Sequence, residues 1–281
     1  PHRQRAMAGT APGRVVFVSD PAPGSPGGPL WDPEAIPAAT IIPLRDAAGE
    51  LEVLMLRRDD TLRFAAGMWV FPGGRLDPED FPGGSTPSEP TAGDLEAAAR
   101  AAALREADEE ASITIEPATI RRWSQWTPPP MGSDEKLRHR FTTAFLVGVA
   151  VGDTDAIVVD DGEIREHRWC SPPAMLELHA LGEVSLAPPT FITLCQLAPL
   201  RNPAEVLMAA PSGMDDIEHF ATRVGSTDGG WAALYHGDAA YESGDMEATG
   251  ARHRLHMDSL PWRYERDVTG TDAGDHPDGP T

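Results

Sequence analysis

The sequence predicts a layered α+β or α/β domain, in which a sheet packs against helices. Short apolar runs flank a polar stretch near residue 45, as in a β-hairpin. An alanine-rich stretch from Asp94 to Leu104 predicts a helix that lies close to a sheet. Further apolar runs follow it, and this order requires layers of both kinds around one core. The strand-like runs lie at 38–44, 51–56, 68–71, 121–126, 140–149 and 164–169.

Composition excludes several classes of protein. A net charge of −21 over 281 residues disfavours nucleic acid and anionic membranes as partners, because both would be repelled. Two cysteines, Cys170 and Cys195, do not make a disulfide framework, which favours a reducing compartment. No run reaches the roughly 20 apolar residues of a membrane helix, and no secretory signal is evident. We therefore expect a cytoplasmic protein that binds a small molecule.

The pattern divides the chain into four parts. Residues 1–35 are rich in Pro, Gly and Ala and predict a flexible arm. Residues 36–200 hold the layered domain. Residues 201–268 predict an α/β appendage, helical in part up to 223, with strands at 231–241 and 251–257. It would cover the active site, form a homodimer contact or cap the core. Residues 269–281 predict a disordered tail.

The segment before the helix is a turn followed by a polar loop. Pro72-Gly73-Gly74 ends the run at 68–71, and two glycines allow a backbone turn that other residues make at a cost. Residues 75–90 include four prolines and predict an inserted loop. Helix then resumes with Asp94 as the predicted N-cap.

The helix ends in an unusual concentration of charge, Arg105-Glu106-Ala107-Asp108-Glu109-Glu110. Residues three and four apart share a helix face, so Glu106, Glu109 and Glu110 lie on one side, with Asp108 turned away. Three like charges repel unless a hard cation such as Mg²⁺ lies among them. The alternative is an ordinary solvated helix face.

These residues resemble the signature of the Nudix hydrolases, Gly-x5-Glu-x7-Arg-Glu-U-x-Glu-Glu-x-Gly-U, where U is aliphatic. Gly74 matches the opening glycine, and Arg105 to Ile113 match the closing half. Three departures stand out. Counted back from Arg105, the first Glu falls on Ala97, with Glu96 one residue away; the closing Gly is Ser112; and the gap after Gly74 is long. Ser112 implies modest strain or a different helix exit.

The resemblance implies a mixed β-sheet between helices, an α/β/α sandwich, over residues 36–200. It also implies metal-dependent hydrolysis of a diphosphate in a nucleoside-diphosphate-X compound. The insertion, Trp126-Thr127-Pro128, the run at 140–145 and the segment at 186–190 are similar to the branch that contains a mammalian peroxisomal coenzyme A diphosphatase. Coenzyme A or acyl-coenzyme A is thus the leading substrate. The alternatives are an NDP-sugar, ADP-ribose or NADH, or a non-catalytic Nudix-like binding or regulatory domain.

The resemblance also assigns roles to residues. Glu106, Glu109 and Glu110, with the backbone carbonyl of Gly73, would hold Mg²⁺ or Mn²⁺, and Arg105 would orient a glutamate. One of these glutamates, or a loop acid, would deprotonate water. The candidate loop acids are Asp160, Asp161, Glu163 and Glu166, and acidic turns are the alternative for each. The candidate phosphate ligands are Arg57, Arg58, Arg75 and Arg140. Aromatic contacts to a base would come from Trp69, Trp126 or Phe141.

Overall fold

The computed structural model of the chain describes residues 30–62, 65–129, 140–159, 162–227 and 230–267. The predicted disordered tail, almost all of the predicted N-terminal arm, and two candidate acids, Asp160 and Asp161, lie outside these ranges.

Nine strands of the described residues form one mixed sheet. Its path runs β3-β2-β1-β7-β6-β9, with β4 on β1, β5 on β7 and β8 on β2. The β1–β7 and β6–β9 pairs are parallel, and the other pairs are antiparallel. These strands are β1 (Ile36–Ala47), β2 (Glu50–Arg58), β3 (Trp69–Val70), β4 (Gly73–Arg75), β5 (Thr114–Ile115), β6 (Arg121–Thr127), β7 (Phe141–Val151), β8 (Ile164–Cys170) and β9 (Glu218–Ala221).

Helices cover both faces of this sheet, as the sequence predicted. Helix α1 (Ala92–Ala111) packs on one face, where its buried alanines meet Ile41, Leu54 and Leu146. Helices α2 (Pro172–Ala180), α3 (Pro188–Leu197) and α4 (Pro203–Ala209) contribute to the opposite core, around Trp126 and Phe145. Strand residues alternate between the two faces, so one apolar run can supply both cores. The predicted α+β sandwich with a mixed sheet is confirmed.

Two local predictions were wrong. The Pro72-Gly73-Gly74 segment is not only a turn, because Gly73 and Gly74 begin β4 and pair with Thr40 and Ala39. A Cβ on Gly73 would lie 2.6 Å from the Ala39 carbonyl oxygen, so only glycine permits this strand contact. The N-cap of α1 is Thr91 rather than Asp94. Asp94 is the third helical residue, where its carboxylate accepts the Thr91 N–H while its own N–H donates to the Thr91 hydroxyl.

The segment after residue 200 contributes to both sheets. Strand β9 extends the main sheet, whereas β10 (Arg223–Thr227), β11 (Gly230–Leu234), β12 (His253–His256) and β13 (Arg263–Arg266) form a separate antiparallel sheet. The strand predicted at 231–241 ends at Leu234, because Gly237 adopts φ +90° and the chain turns there. The buried Asp238 carboxylate holds this turn through Arg254. A domain boundary at residue 200 stays a prediction.

Candidate active site

The C-terminal half of α1 brings its glutamates against the two glycines of β4. Fully buried alanines, among them Ala103 and Ala107, let the helix lie close to the sheet. Glu110 is 9% exposed, and its Oε2 accepts a hydrogen bond from the Gly73 N–H at 3.0 Å. A Cβ on Gly74 would lie 2.1 Å from Oε1 of Glu106, so the glycine leaves the space that this carboxylate occupies. Two of the three predicted metal ligands therefore meet β4.

Arg105 connects the glutamates to one another. Its Nη1 donates to Glu106 at 2.8 Å and to Glu109 at 2.9 Å. Its Nη2 also donates to the backbone carbonyl of Arg75 at 3.2 Å. These contacts fix the side chain along one face of α1, and they support the role of a positioning residue that the resemblance implied.

Asp80 anchors Arg105 from the other side, and sequence reasoning missed it. The buried Asp80 carboxylate accepts from Nε of Arg105 at 3.1 Å and from Nη2 at 2.9 Å. It also accepts the backbone N–H of Asp77 at 2.8 Å. Such a bidentate pair fixes the plane of the guanidinium as well as its position.

Asp80 takes the place of the first acid of the box, so the prediction that this acid falls at position 97 was wrong. Asp80 lies six residues after Gly74, which is the spacing Gly-x5-Glu with aspartate in place of glutamate. Counting forward from the glycine, rather than back from Arg105, would have found it. Glu96 instead binds Arg122 at 3.0 Å near the start of α1. The inserted residues follow Asp80, and the contact between Asp80 and Arg105 brings the two ends of the box together.

Burial and mutual repulsion shift the pKa values of Glu106 and Glu110. Burial, together with the neighbouring Glu106 charge, raises the pKa of Glu110 to about 8, while the Gly73 N–H and Arg58 oppose the shift. Burial also raises the pKa of Glu106, whereas Arg105 opposes that shift. A cation would reverse both effects, because it favours the charged carboxylates.

The donor set fits a hard divalent cation. All three side chains offer carboxylate oxygens, and a glycine-lined cradle receives two of them. Within the described residues, no three acidic, histidine or cysteine side chains already form a metal-binding group. Arginines hold the carboxylates instead: Arg105 holds Glu106 and Glu109, and Arg58 lies 3.9 Å from Glu110. The assignment of these residues to metal binding stays a prediction.

The four arginines proposed for phosphate binding each have a different acidic partner. Arg58 lies beside Glu110, and Arg75 lies near Arg105 with 71% of its side chain exposed. Arg57 pairs with Glu166 at 2.9 Å. Arg140 lies at the start of β7 and pairs with Asp32 at 2.6 Å. Of this set, Arg58 is the one that the described structure places against a glutamate of the box, whereas the Arg75 side chain pairs with Asp77 at 2.9 Å.

Glu163 is the loop acid that the described structure connects to the glutamates. Its Oε2 accepts from Arg58 at 3.1 Å, and its charge contributes to the raised pKa of Glu110. Glu166 points to Arg57 instead.

Two of the aromatic candidates belong to the core. Trp69 and Trp126 are 4% and 3% exposed, and Trp126 stacks on Phe220 with ring centroids 3.9 Å apart. Phe141 is half-buried at the start of β7.

Comparison with known proteins places this arrangement in a family. A model of the NUDIX domain matches residues 35–188, which is more than half of the chain. The chain belongs to the Nudix family. This matched region contains β1–β8, α1 and α2, and hence the glutamates with Asp80, Arg105 and the β4 glycines.

Curated Nudix relatives share part of this sequence. The chain is 27% identical over 190 residues to the acyl-coenzyme A diphosphatase NUDT19 of Gallus gallus, covering 64% of this chain and 48% of that protein. It is 29% identical over 86 residues to NUDT19 of Xenopus laevis, covering 30% of this chain and 22% of that protein. The chain thus spans at most about half the length of these relatives.

A solved structure shares the fold. A NUDIX hydrolase from Alicyclobacillus acidocaldarius superposes with a TM-score of 0.50 at 23% identity, over 64% of this chain and 98% of that one. No helix among the described residues is both long and apolar enough to cross a membrane.

Proposed function

We propose that this Nudix protein is a metal-dependent diphosphatase that hydrolyses the diphosphate of coenzyme A or acyl-coenzyme A. Cleavage would give 3′,5′-ADP and a phosphopantetheine product. The observation that carries the proposal is the cluster at β4, where two glycines hold two glutamates of the box and Arg105 holds the third to them. The relatives named as acyl-coenzyme A diphosphatases support the choice of substrate.

Mg²⁺ or Mn²⁺ is the cofactor of this proposal, and Glu106, Glu109 and Glu110, with the carbonyl of Gly73, would hold it. When bound, the metal neutralises phosphate charge and lowers the pKa of water. The side chains around it position these ligands. Arg105 keeps Glu106 and Glu109 together, and Asp80 keeps Arg105 in place. The Gly73 N–H holds one oxygen of Glu110 and leaves its other oxygen to face Arg58 and a ligand.

Arg58 and Glu163 form the opposite wall of the site. Arg58 carries a guanidinium between Glu110 and Glu163, so it is placed to contact an anionic diphosphate that arrives there. Glu163 would then be released from Arg58 and available to accept a proton from the attacking water. We therefore assign Glu163 as the general base, ahead of Glu166, which is held by Arg57.

We also propose a setting for the enzyme, and its charge and its thiols support it. The surplus of acidic residues favours a small molecule over nucleic acid or an anionic membrane as partner. Cys170 and Cys195 are free and buried, which raises the pKa of each thiol to about 12 and suits a reducing cytoplasm. A homodimer contact through the C-terminal segment is a further proposal. Fractionation of cells and light scattering of the purified protein test these two assignments.

The test is hydrolysis of a substrate panel with mass spectrometric detection. The purified protein is incubated with Mg²⁺ or Mn²⁺ and coenzyme A, acetyl-coenzyme A, NADH, ADP-ribose or UDP-glucose. We expect cleavage of the coenzyme A compounds, its loss on chelation, and its loss in the double variant Glu109→Gln/Glu110→Gln. The variant Asp108→Asn is the matched control, because Asp108 is exposed on the opposite face of the same turn. Cleavage confined to another compound would overturn the substrate, and no cleavage by the wild type would overturn the enzyme.

A further inference from the structure

A pocket of about 510 Å³ opens beside the C-terminal segment, and the reaction proposed above does not use it. This volume lies in the range of small-molecule sites. Its walls come from four separated segments of the chain. They include Asp32 before β1, Thr127 at the end of β6, Arg140 before β7, and His219, Arg223 and Tyr241 from the C-terminal segment.

Most of this pocket lies outside the region that defines the family. The match to the NUDIX domain ends at residue 188, whereas His219, Arg223 and Tyr241 come after it and Asp32 comes before it. The pocket is thus formed where segments outside the matched domain meet the shared fold. Such a position suits recognition of a substrate part that differs between family members.

The exposed lining of this pocket is more apolar than polar, and its charged groups are already paired. Arg140 pairs with Asp32 at 2.6 Å, and Arg223 pairs with Glu242 at 2.8 Å. A phosphate would have to compete with these carboxylates, so the pocket favours an uncharged group with apolar faces. The hydroxyl of Thr127 lies 3.0 Å from Nε2 of the buried His219 and 3.1 Å from the hydroxyl of Thr142, so these polar groups already have partners within the protein. A nucleobase presents flat π-faces to such a lining.

A flat cationic platform forms one wall. The Arg223 guanidinium lies over the Tyr241 ring, 4.5 Å from its centroid. The Tyr241 hydroxyl donates to the carbonyl of Ala221 at 2.8 Å, and Arg223 Nη1 donates to the carbonyl of Tyr241 at 3.1 Å. These hydrogen bonds fix the plane of the Arg223 guanidinium and the plane of the Tyr241 ring. A heteroaromatic base stacks favourably on aromatic rings and on guanidinium planes.

The pocket lies at the same end of the main sheet as the glutamates. Ile36 faces Phe141 in the parallel β1–β7 pair, so Asp32 and Arg140 precede their strands at one end. The glycines of β4 pair with β1 near that end. Strand β9 is three strands from β1, or about 14 Å at the usual strand spacing. A ribose and a diphosphate can extend over such a distance.

We propose that this pocket binds the nucleobase of the nucleoside-diphosphate substrate, stacked on the Arg223–Tyr241 platform, while the diphosphate lies at the glutamates. This inference rests on the proposed function. It assigns Arg223 and Tyr241 as specificity-determining residues supplied by the C-terminal segment, and it places the pantetheine arm elsewhere.

The test measures binding of two uncharged fragments of coenzyme A, its nucleoside and its pantetheine arm, to the full chain. Adenosine and pantetheine are titrated separately, followed by ligand-detected NMR, without divalent metal. We expect adenosine to bind the wild type and to bind Arg223→Gln about tenfold more weakly, with Arg223→Lys in between because the charge stays and the plane is lost. Tyr241→Leu is a second variant of the same platform. Arg201→Gln is the matched control, because Arg201 is exposed just before α4 and pairs with Glu205.

Three outcomes overturn the proposal. The first is that the wild type does not bind adenosine. The second is that the Arg223 variants bind adenosine as tightly as the control variant does. The third is that the Arg223 variants bind pantetheine, and not adenosine, more weakly than the wild type. Arg223 has nearly half of its side chain exposed, so its replacement leaves the core intact, and a thermal unfolding scan checks this. The binding test needs no turnover. If the wild type hydrolyses coenzyme A but the Arg223 variants bind adenosine as well as the wild type does, the pocket proposal alone is refuted. If adenosine binding depends on Arg223 but no hydrolysis occurs, the proposed enzymatic function alone is refuted.

Discussion

Replacing Asp80 by asparagine tests whether this residue is the buried anchor of Arg105. The carboxylate accepts three hydrogen bonds, two from the Arg105 guanidinium and one from the Asp77 N–H. Asparagine has the same shape but loses the charge and presents an NH₂ group toward a cation. A hydrogen bond to a charged group contributes about 1.5–3 kcal/mol. Arg105 is one-quarter exposed, so water replaces part of that contribution. We expect the free energy of unfolding to fall by about 2 kcal/mol.

The same substitution should lower activity, because Arg105 would no longer be fixed in the position from which it orients Glu106 and Glu109. Supporting residues around metal ligands typically change activity by roughly 10–100-fold, and we expect about tenfold here. Urea denaturation measures the stability, and hydrolysis of coenzyme A with Mg²⁺ measures kcat. Glu79→Gln is the matched control, since Glu79 is an exposed neighbour in the same 3₁₀ turn. A variant Asp80→Asn that differs from this control by less than about 0.5 kcal/mol and keeps full kcat would refute the reasoning.

Three further perturbations follow from the structure. Gly74→Ala should abolish metal-dependent hydrolysis, because the added Cβ would lie 2.1 Å from Oε1 of Glu106. Circular dichroism checks that the variant still folds, and a retained kcat would contradict this prediction. Ser112→Gly should raise the free energy of unfolding by about 0.5–1 kcal/mol in urea titrations, because Ser112 has φ +50°; a loss of stability would show that the serine is unstrained. Burial lowers the pKa of His253 from 6.5 to about 4. The imidazole therefore binds a proton more readily in the unfolded chain than in the folded one, and the free energy of unfolding falls as pH falls from about 6.5 to about 4. Between pH 7 and pH 4 the wild type should lose about 3 kcal/mol more than His253→Gln, and equal losses would exclude His253 as the cause.

The sequence predicted the layers of the fold because strands and helices have different apolar periods. The runs that became β1, β2, β7 and β8 alternate between two apolar cores, the run that became β6 supplies one of them, and the alanines of α1 indicated its close packing. Strand β4 was missed because Gly73-Gly74-Arg75 has no apolar side chain to show a period. Its pairing with β1 depends on close backbone approach, which sequence patterns do not reveal.

The candidate site was predictable where it is local in sequence. Glu106, Glu109, Glu110 and Arg105 lie on one helix, so spacing alone placed them on one face. The Arg58–Glu163 wall joins β2 to the residue before β8, and no local pattern connects two such segments. The proposed base pocket was beyond sequence reasoning for the same reason, because its lining comes from segments that meet only in the folded chain.

The insertion shows why the two halves of the box can separate in sequence without separating in space. Asp80 and Arg105 are 25 positions apart and still form a bidentate pair. Closing a loop of 24 rather than seven intervening residues costs only about 1 kcal/mol more, because loop entropy grows logarithmically with length. Part of the inserted chain is also helical, since α1 begins at Ala92 and attaches to β6 through the Glu96–Arg122 pair. The contact that defines the box thus depends on the Asp80–Arg105 pair and on the two glycines of β4. The length between them is free to change, so the box is better recognised from both of its ends than from one continuous spacing.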